Sequence, residues 1–310
     1  MNNKITRQRL KTFFVYDTVK MLAVLAVVLL SVIIVFNYFS KRPTLSQTFS
    51  VLVDNVEVIS GDEQQSFYEK VSYGKEDKSR YGLSYNVLAG NVNTISPSSG
   101  SPMETLVQTY VGTGDDDVVI AGKTVATYYL GRGAAMTFDT LLSMLNSFLY
   151  TDNGFYSSKL DSVDDINEEA VRAYFLKTYA KDSRFLTESK REEGIKNEIE
   201  RIKGFKTNGD IFEKLIEVCP SIFASDPELT SFTLGGYTFS GNYALNLGAL
   251  GQGFLNVYKV KQTVNEEEID TTNGVYLLLG NRTEDGGDSA FEALAFIATL
   301  ATEYSSVLEG

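Results

Sequence analysis

DVVIAGKTVATYYLGRGAAMTFDTLL, residues 117–142, is the stretch on which the reading of the fold turns. Asp117–Ala121 is a near-continuous apolar run of strand-forming residues, the pattern of a sheet covered on both faces. Thr124–Leu130 and Asp139–Leu149 follow with helical apolar spacing. A buried strand leading straight into helices predicts α/β architecture.

Upstream, Phe49–Asp54 (FSVLVD) predicts another buried strand, rich in aromatic and β-branched residues. Glu63–Val71 reads as a short helix, Tyr73–Arg80 as loop and Gly82–Ala89 as a second strand. Asn91–Pro102, full of Ser, Pro, Gly and Asn, reads as a turn or loop, and Met103–Val111 as a helix. Downstream the character changes. Asn167–Ala180, Ser189–Lys203 and Gly209–Val218 are helical by spacing, and Thr233–Leu247 alternates as strands do. Val275–Leu279 (VYLLL) predicts a late buried strand, and a final helix opens at Asp288 or Ser289 with Glu292 completing a capping box. Strand and helix alternate at both ends around a helical middle, with mostly parallel pairing expected at the ends.

Ahead of all this lies Met21–Phe39, 19 residues without a charge, which matches a roughly 30 Å hydrocarbon core. A basic tail at 1–20 precedes it and a linker at 40–48 follows. Residues 1–42 hold 7 cations and 1 anion, leaving 21 cations and 39 anions for residues 43–310: net +6 for residues 1–42 and −18 for the rest. The positive-inside bias therefore predicts a cytoplasmic N-terminus and a C-terminal domain outside the cell membrane. The exit Asn-Tyr-Phe-Ser-Lys-Arg is bulky and charged, unlike a cleavage site, so the segment reads as a retained signal anchor. A buried core helix of a soluble protein is the alternative.

The acidic exterior argues against nucleic acid as a partner. Cys219 is the only cysteine and excludes an intramolecular disulfide, which suits a Gram-positive bacterial surface. There is no histidine, which removes Ser-His-Asp and Cys-His catalysis and the usual zinc sites. No cofactor or metal site is expected.

Three motifs prove weak. Gly122-Lys123-Thr124 has the end of a P-loop, but Asp117 stands where the first Gly belongs and VVIA leaves no loop to wrap a phosphate. Ser72-Tyr-Gly-Lys75, Thr151-Asp152-Asn153 and Lys206-Thr207-Asn208 follow the order of serine β-lactamases, yet Ser72 heads a charged, glycine-broken stretch and Lys206 precedes a helix. Asp115-Asp116-Asp117 lacks the Gly-spaced loop of a calcium site; the first two read as a solvated turn and the third as the strand's opening.

Residues 117–142, with Asp117, Gly133 and the Phe138-Asp139 pair, resemble a segment of the extracytoplasmic solute-binding proteins of ABC transporters. Gly274–Gly280 followed by Ala290–Ile297 is similar to that family's late strand and helix. The resemblance implies a two-lobed, type II periplasmic-binding-protein-like domain behind the transmembrane helix. Residues 49–160 and 256–310 would make lobe 1, and 161–255 lobe 2. It further implies no enzymatic activity, but capture of a small molecule by lobe closure, with an ABC permease as partner. Ligands of open α/β sheets lie beyond the carboxyl ends of the strands. That geometry nominates Asp54 and Asn55, Lys123 and Thr124, and Asn281 and Arg282, with Tyr237 and Tyr243 as aromatic faces from the second lobe. The family's usual lipid-bearing N-terminal Cys and any Trp are absent. A non-catalytic envelope scaffold that has lost its ligand is the alternative function.

Overall fold

Alternation within single strands organises the fold. The computed structural model describes residues 6–12, 18–39, 47–54, 87, 89–95, 103–113, 116–251, 261–264, 267–270, 274–281 and 288–304. They fall into two units, Met1–Pro43 and Thr44–Gly310.

The first unit holds α1 (Arg7–Thr12) and α2 (Thr18–Phe39). From Leu22 to Ile34 every large apolar side chain of α2 is more than half exposed. Among the described residues no helix is long and apolar enough to cross a membrane. The α2 backbone itself runs 22 residues, about 33 Å at 1.5 Å per residue.

The second unit is a mixed α/β body. Its main sheet comprises β1 (Thr48–Asp54), β2 (Ala89–Ile95), β3 (Val118–Ala121), β4 (Ala135–Met136), β7 (Ala244–Asn246) and β10 (Tyr276–Gly280). The order is β2-β1-β3-β10-β4, with β7 also pairing β10. Two hairpins lie apart from it, β5 (Ser231–Leu234) with β6 (Tyr237–Ser240), and β8 (Lys261–Val264) with β9 (Glu267–Asp270). The helices are α3 (Met103–Thr113), α4 (Lys123–Gly131), α5 (Phe138–Asn146), α6 (Glu168–Thr178), α7 (Glu188–Val218), the single turn α8 (Pro227–Thr230) and α9 (Asp288–Tyr304). A π-helical segment, Ser147–Asp152, continues α5.

Successive strand residues face opposite layers, as the pleat requires. Val51, Val53, Val118, Ile120, Leu277 and Leu279 join a core with Leu141, Phe205, Phe212 and Phe296. Leu52, Val119, Ala121 and Leu278 join a second core with Val107, Val125, Tyr129 and Leu229. The sheet is thus covered on both faces, which is why its strands read as unbroken apolar runs. The final helix α9 is buried almost all round, Ala290 through Ala298, and packs against α7 and β1.

Three expectations are corrected. Asn91–Ile95 is not loop but most of β2, in parallel register with β1 from Thr48↔Ala89 to Asp54↔Ile95; the ladder overrides the turn-forming composition. The helices expected at 189–203 and 209–218 are one helix of 31 residues. Two of its three glycines are packing sites: a Cβ on Gly194 would lie 2.4 Å from Phe175 Cζ, and one on Gly209 2.7 Å from Leu145 Cδ2. Finally, β1 pairs in parallel with β2 and β3, but the late strand β10 runs antiparallel to β3, β4 and β7. The expected helix 63–71, loop 73–80 and nearly all of strand 82–89 lie outside the described residues.

Candidate functional site

β1 and β3 run side by side and end together, with Val53 opposite Ile120. Beyond Ala121 the chain passes through a single residue, Gly122, into α4. Gly122 is extended (φ −68°, ψ 171°) and brings no side-chain cap. Its N–H donates to Asp54 Oδ2 at 3.3 Å. Asp54 is fully buried at the end of β1. A helix start favours negative charge, and the chain supplies that charge itself; no loop surrounds an external phosphate.

Lys123 is the first residue of α4, where a cation opposes the helix dipole. Two carboxylates offset this: Asp226 Oδ2 at 2.5 Å and Glu228 Oε2 at 2.8 Å. Asp226 has two tasks. It caps α8, its Oδ1 accepting from Glu228 N at 3.0 Å while Pro227 takes the first helical position. Its other oxygen takes Lys123. The hydrogen bond to Asp226, then that to Glu228, raises the pKa of Lys123. The Lys123 hydrogen bond lowers that of Asp226. At the same edge Tyr276 opens β10, its phenol pushed up first by burial and then by the Asp226 charge.

The nominated residues divide accordingly. Asp54, Lys123 and Thr124 share this edge, Lys123 and Thr124 exposed and Asp54 buried. Asn281 does not join them. Because β10 is antiparallel, its end lies beside the start of β3, where Asn281 N donates to Ala134 O at 2.8 Å. Tyr243 is 7% exposed, with its ring edge-on to Phe232 at 5.4 Å, so it belongs to the core. Tyr237 is 74% exposed on β6, opposite Leu234. Asn55 and Arg282 lie outside the described residues. Asp226, Glu228 and Tyr276 are the members that sequence reasoning missed. The Asp-Pro-Glu order marks a helix cap, but nothing in it names Lys123 as partner.

The opposite edge corrects another expectation. Asp116 is 2% exposed, not a solvated turn. Its Oδ1 accepts from Ser50 Oγ and Asn93 Nδ2, at 3.3 and 3.2 Å. Asp117 Oδ2 accepts from Ser50 N at 2.7 Å. The two carboxylates fasten the start of β3 to β1 and β2. Among the described residues no three acidic or Cys side chains are placed to hold a metal ion. Lys206 lies inside α7, buried, its ammonium on Asp210 at 3.0 Å and on Lys159 O at 3.3 Å. It does not stand on a sheet-edge strand, and Ser72 lies outside the described residues.

No family model matches this chain, and neither a curated protein nor a solved structure does.

Proposed function

We propose that the chain is a membrane-anchored, outward-facing module that captures a small ligand at the carboxyl edge of its sheet, serving an ABC importer or sensor. One observation carries this reading: Lys123, at the mouth of the strand ends, is tied to Asp226 and Glu228. In the two-lobed division, with lobes at 49–160 plus 256–310 and at 161–255, that ion cluster links one lobe to the other beside Asp54 and Thr124. A polar ligand entering there competes for the same groups, and differential affinity for the closed arrangement drives closure. No covalent step and no cofactor is involved. Insertion of β10 between β3 and β4 supports joining residues 49–160 and 256–310 in one body, which β7 from the 161–255 block also enters by pairing with β10. The exposed apolar surface of α2, Leu22–Ile34, supports the anchor.

A second reading, a non-catalytic envelope scaffold, is favoured by one fact: the Lys123 ammonium already has two carboxylate partners. Exposed Tyr237, Leu234 and Phe239 on the β5–β6 hairpin would then serve contact with a protein.

Placement is tested by labelling. In a Cys219→Ser background, Leu160→Cys, at a position 95% exposed, should react with a membrane-impermeant maleimide on intact cells. Reaction only after lysis would contradict the outward orientation. Capture is tested by Lys123→Met together with Arg282→Met, which should weaken at least one of the compounds that stabilise the wild type. Unchanged binding would remove the site assignment.

A further inference from the structure

The π-helical segment Ser147–Asp152 ends at a cleft of about 290 Å³ against α6. A π-turn is an uncommon, widened form that is often associated with functional sites. Here it delivers Asp152 and Asn153 to one side of the cleft. The other side is a face of α6, residues Ala170, Ala173, Tyr174 and Lys177. Their spacing of three and four places them on one helical stripe. Two alanines leave the volume open. Two fixed groups shape it: Asn153 Nδ2 donates to Phe148 O at 3.0 Å, and the Tyr174 ring stands edge-on to Phe148 at 5.6 Å and Phe155 at 5.4 Å.

The charges decide the ligand. Asp152 and Lys177 line the same cleft, are not within ion-pair distance of each other, and pair with no other described residue. A simple anion entering here is attracted by Lys177 and repelled by Asp152; a simple cation meets the reverse. A molecule that carries both an ammonium and a carboxylate satisfies both ends. The volume lies at the low end for small-molecule sites, which excludes an oligosaccharide or dinucleotide. We infer that this cleft binds a free α-amino acid as its zwitterion, with its ammonium on Asp152, its carboxylate on Lys177 and its side chain along the Tyr174 ring. The site is separate from the sheet edge and does not rest on the reading given above, since neither Lys123 nor Asp226 lines it.

The test is calorimetric titration of the full-length protein in micelles with L-alanine, L-leucine and L-glutamate. Binding in the millimolar range or tighter is expected. N-acetyl-L-alanine lacks the ammonium and L-alanine amide lacks the carboxylate; each should bind about tenfold more weakly or not at all. Asp152→Asn and Lys177→Gln each change an exposed side chain and leave the fold intact, and each should weaken the amino acid by about tenfold. With Asp152→Asn the N-acetyl compound should lose its disadvantage, and Lys123→Met should leave the affinity unchanged. The inference is overturned if none of the three amino acids binds, if both cleft variants bind them like the wild type, or if only Lys123→Met abolishes binding.

Discussion

The ammonium of Lys123 lies 2.5 Å from a carboxylate oxygen of Asp226. The contact joins the turn after β3 to the cap of α8, so a segment of the middle of the chain is held at the mouth of the strands. Its strength depends on both charges, and pH therefore acts on it from two sides.

On the acid side the pKa of Asp226 is lowered by the hydrogen bond to Lys123. A depressed carboxylate contributes stability that is present above its unfolded value, about 3.9, and lost as pH falls through the lower folded value. Lys123 is raised instead. Its contribution is complete below about 10.4 and lost as pH rises through the folded value. Wild type and Asp226→Asn, compared by urea unfolding from acid to neutral pH, should converge as the pH is lowered. A constant gap down to the most acid point would show that the pair adds nothing dependent on charge.

Gly280 is fixed by space. A Cβ there would stand 1.8 Å from the carbonyl oxygen of Asp116, a backbone atom that cannot move without parting β3 from β10. Gly280→Ala should cost about 3 kcal/mol, the upper end for overpacking. An unfolding midpoint equal to wild type would mean that the two strands are not packed this closely.

Inside α7, Gly204 has nothing within 4 Å of its would-be Cβ, whereas Gly194 meets Phe175 and Phe185. Gly204→Ala should stabilise by roughly 0.5–1 kcal/mol through backbone entropy. Gly194→Ala should destabilise by roughly 1–3 kcal/mol. Thermal unfolding that moves in the same direction for both would argue against one continuous, packed helix.

Glu198 and Arg201 form an ion pair on α7 with both side chains almost fully buried, Nη2 to Oε1 at 2.7 Å. Arg201→Met takes the guanidinium away from that buried carboxylate and should cost roughly 3–5 kcal/mol. Adding Glu198→Leu should recover most of that loss, since an apolar pair needs no counter-charge. If the double variant is as unstable as the single, the cost lies in packing and not in the lost ion pair.

Much of the fold was legible because burial leaves a mark on composition. β1, β3 and β10 are covered on both faces and read as strands from their apolar runs, and α9 showed its burial in the same way. β2 was hidden, since Asn91, Asn93 and Thr94 look like loop until β1 offers a ladder. Antiparallel β10 was hidden too, because direction leaves no trace in five apolar residues; that is why Asn281 was grouped with Lys123 although it lies at the far edge. Of the candidate site, the strand-end rule found Asp54, Lys123 and Thr124. Asp226 and Glu228 escaped it, because their pairing with Lys123 is a tertiary contact across a hundred residues.

The most direct measurement is thermal unfolding of the full-length protein in micelles against sugars, peptides, amino acids and anions, with Lys123→Met in parallel. A ligand at a hundred times its dissociation constant adds about 2.7 kcal/mol. Capture at the sheet edge predicts that at least one class raises the midpoint of the wild type and that Lys123→Met removes the shift. A flat result across the library, or a shift indifferent to Lys123, would contradict capture at that edge; an amino-acid shift abolished only by Asp152→Asn would belong to the cleft on α6.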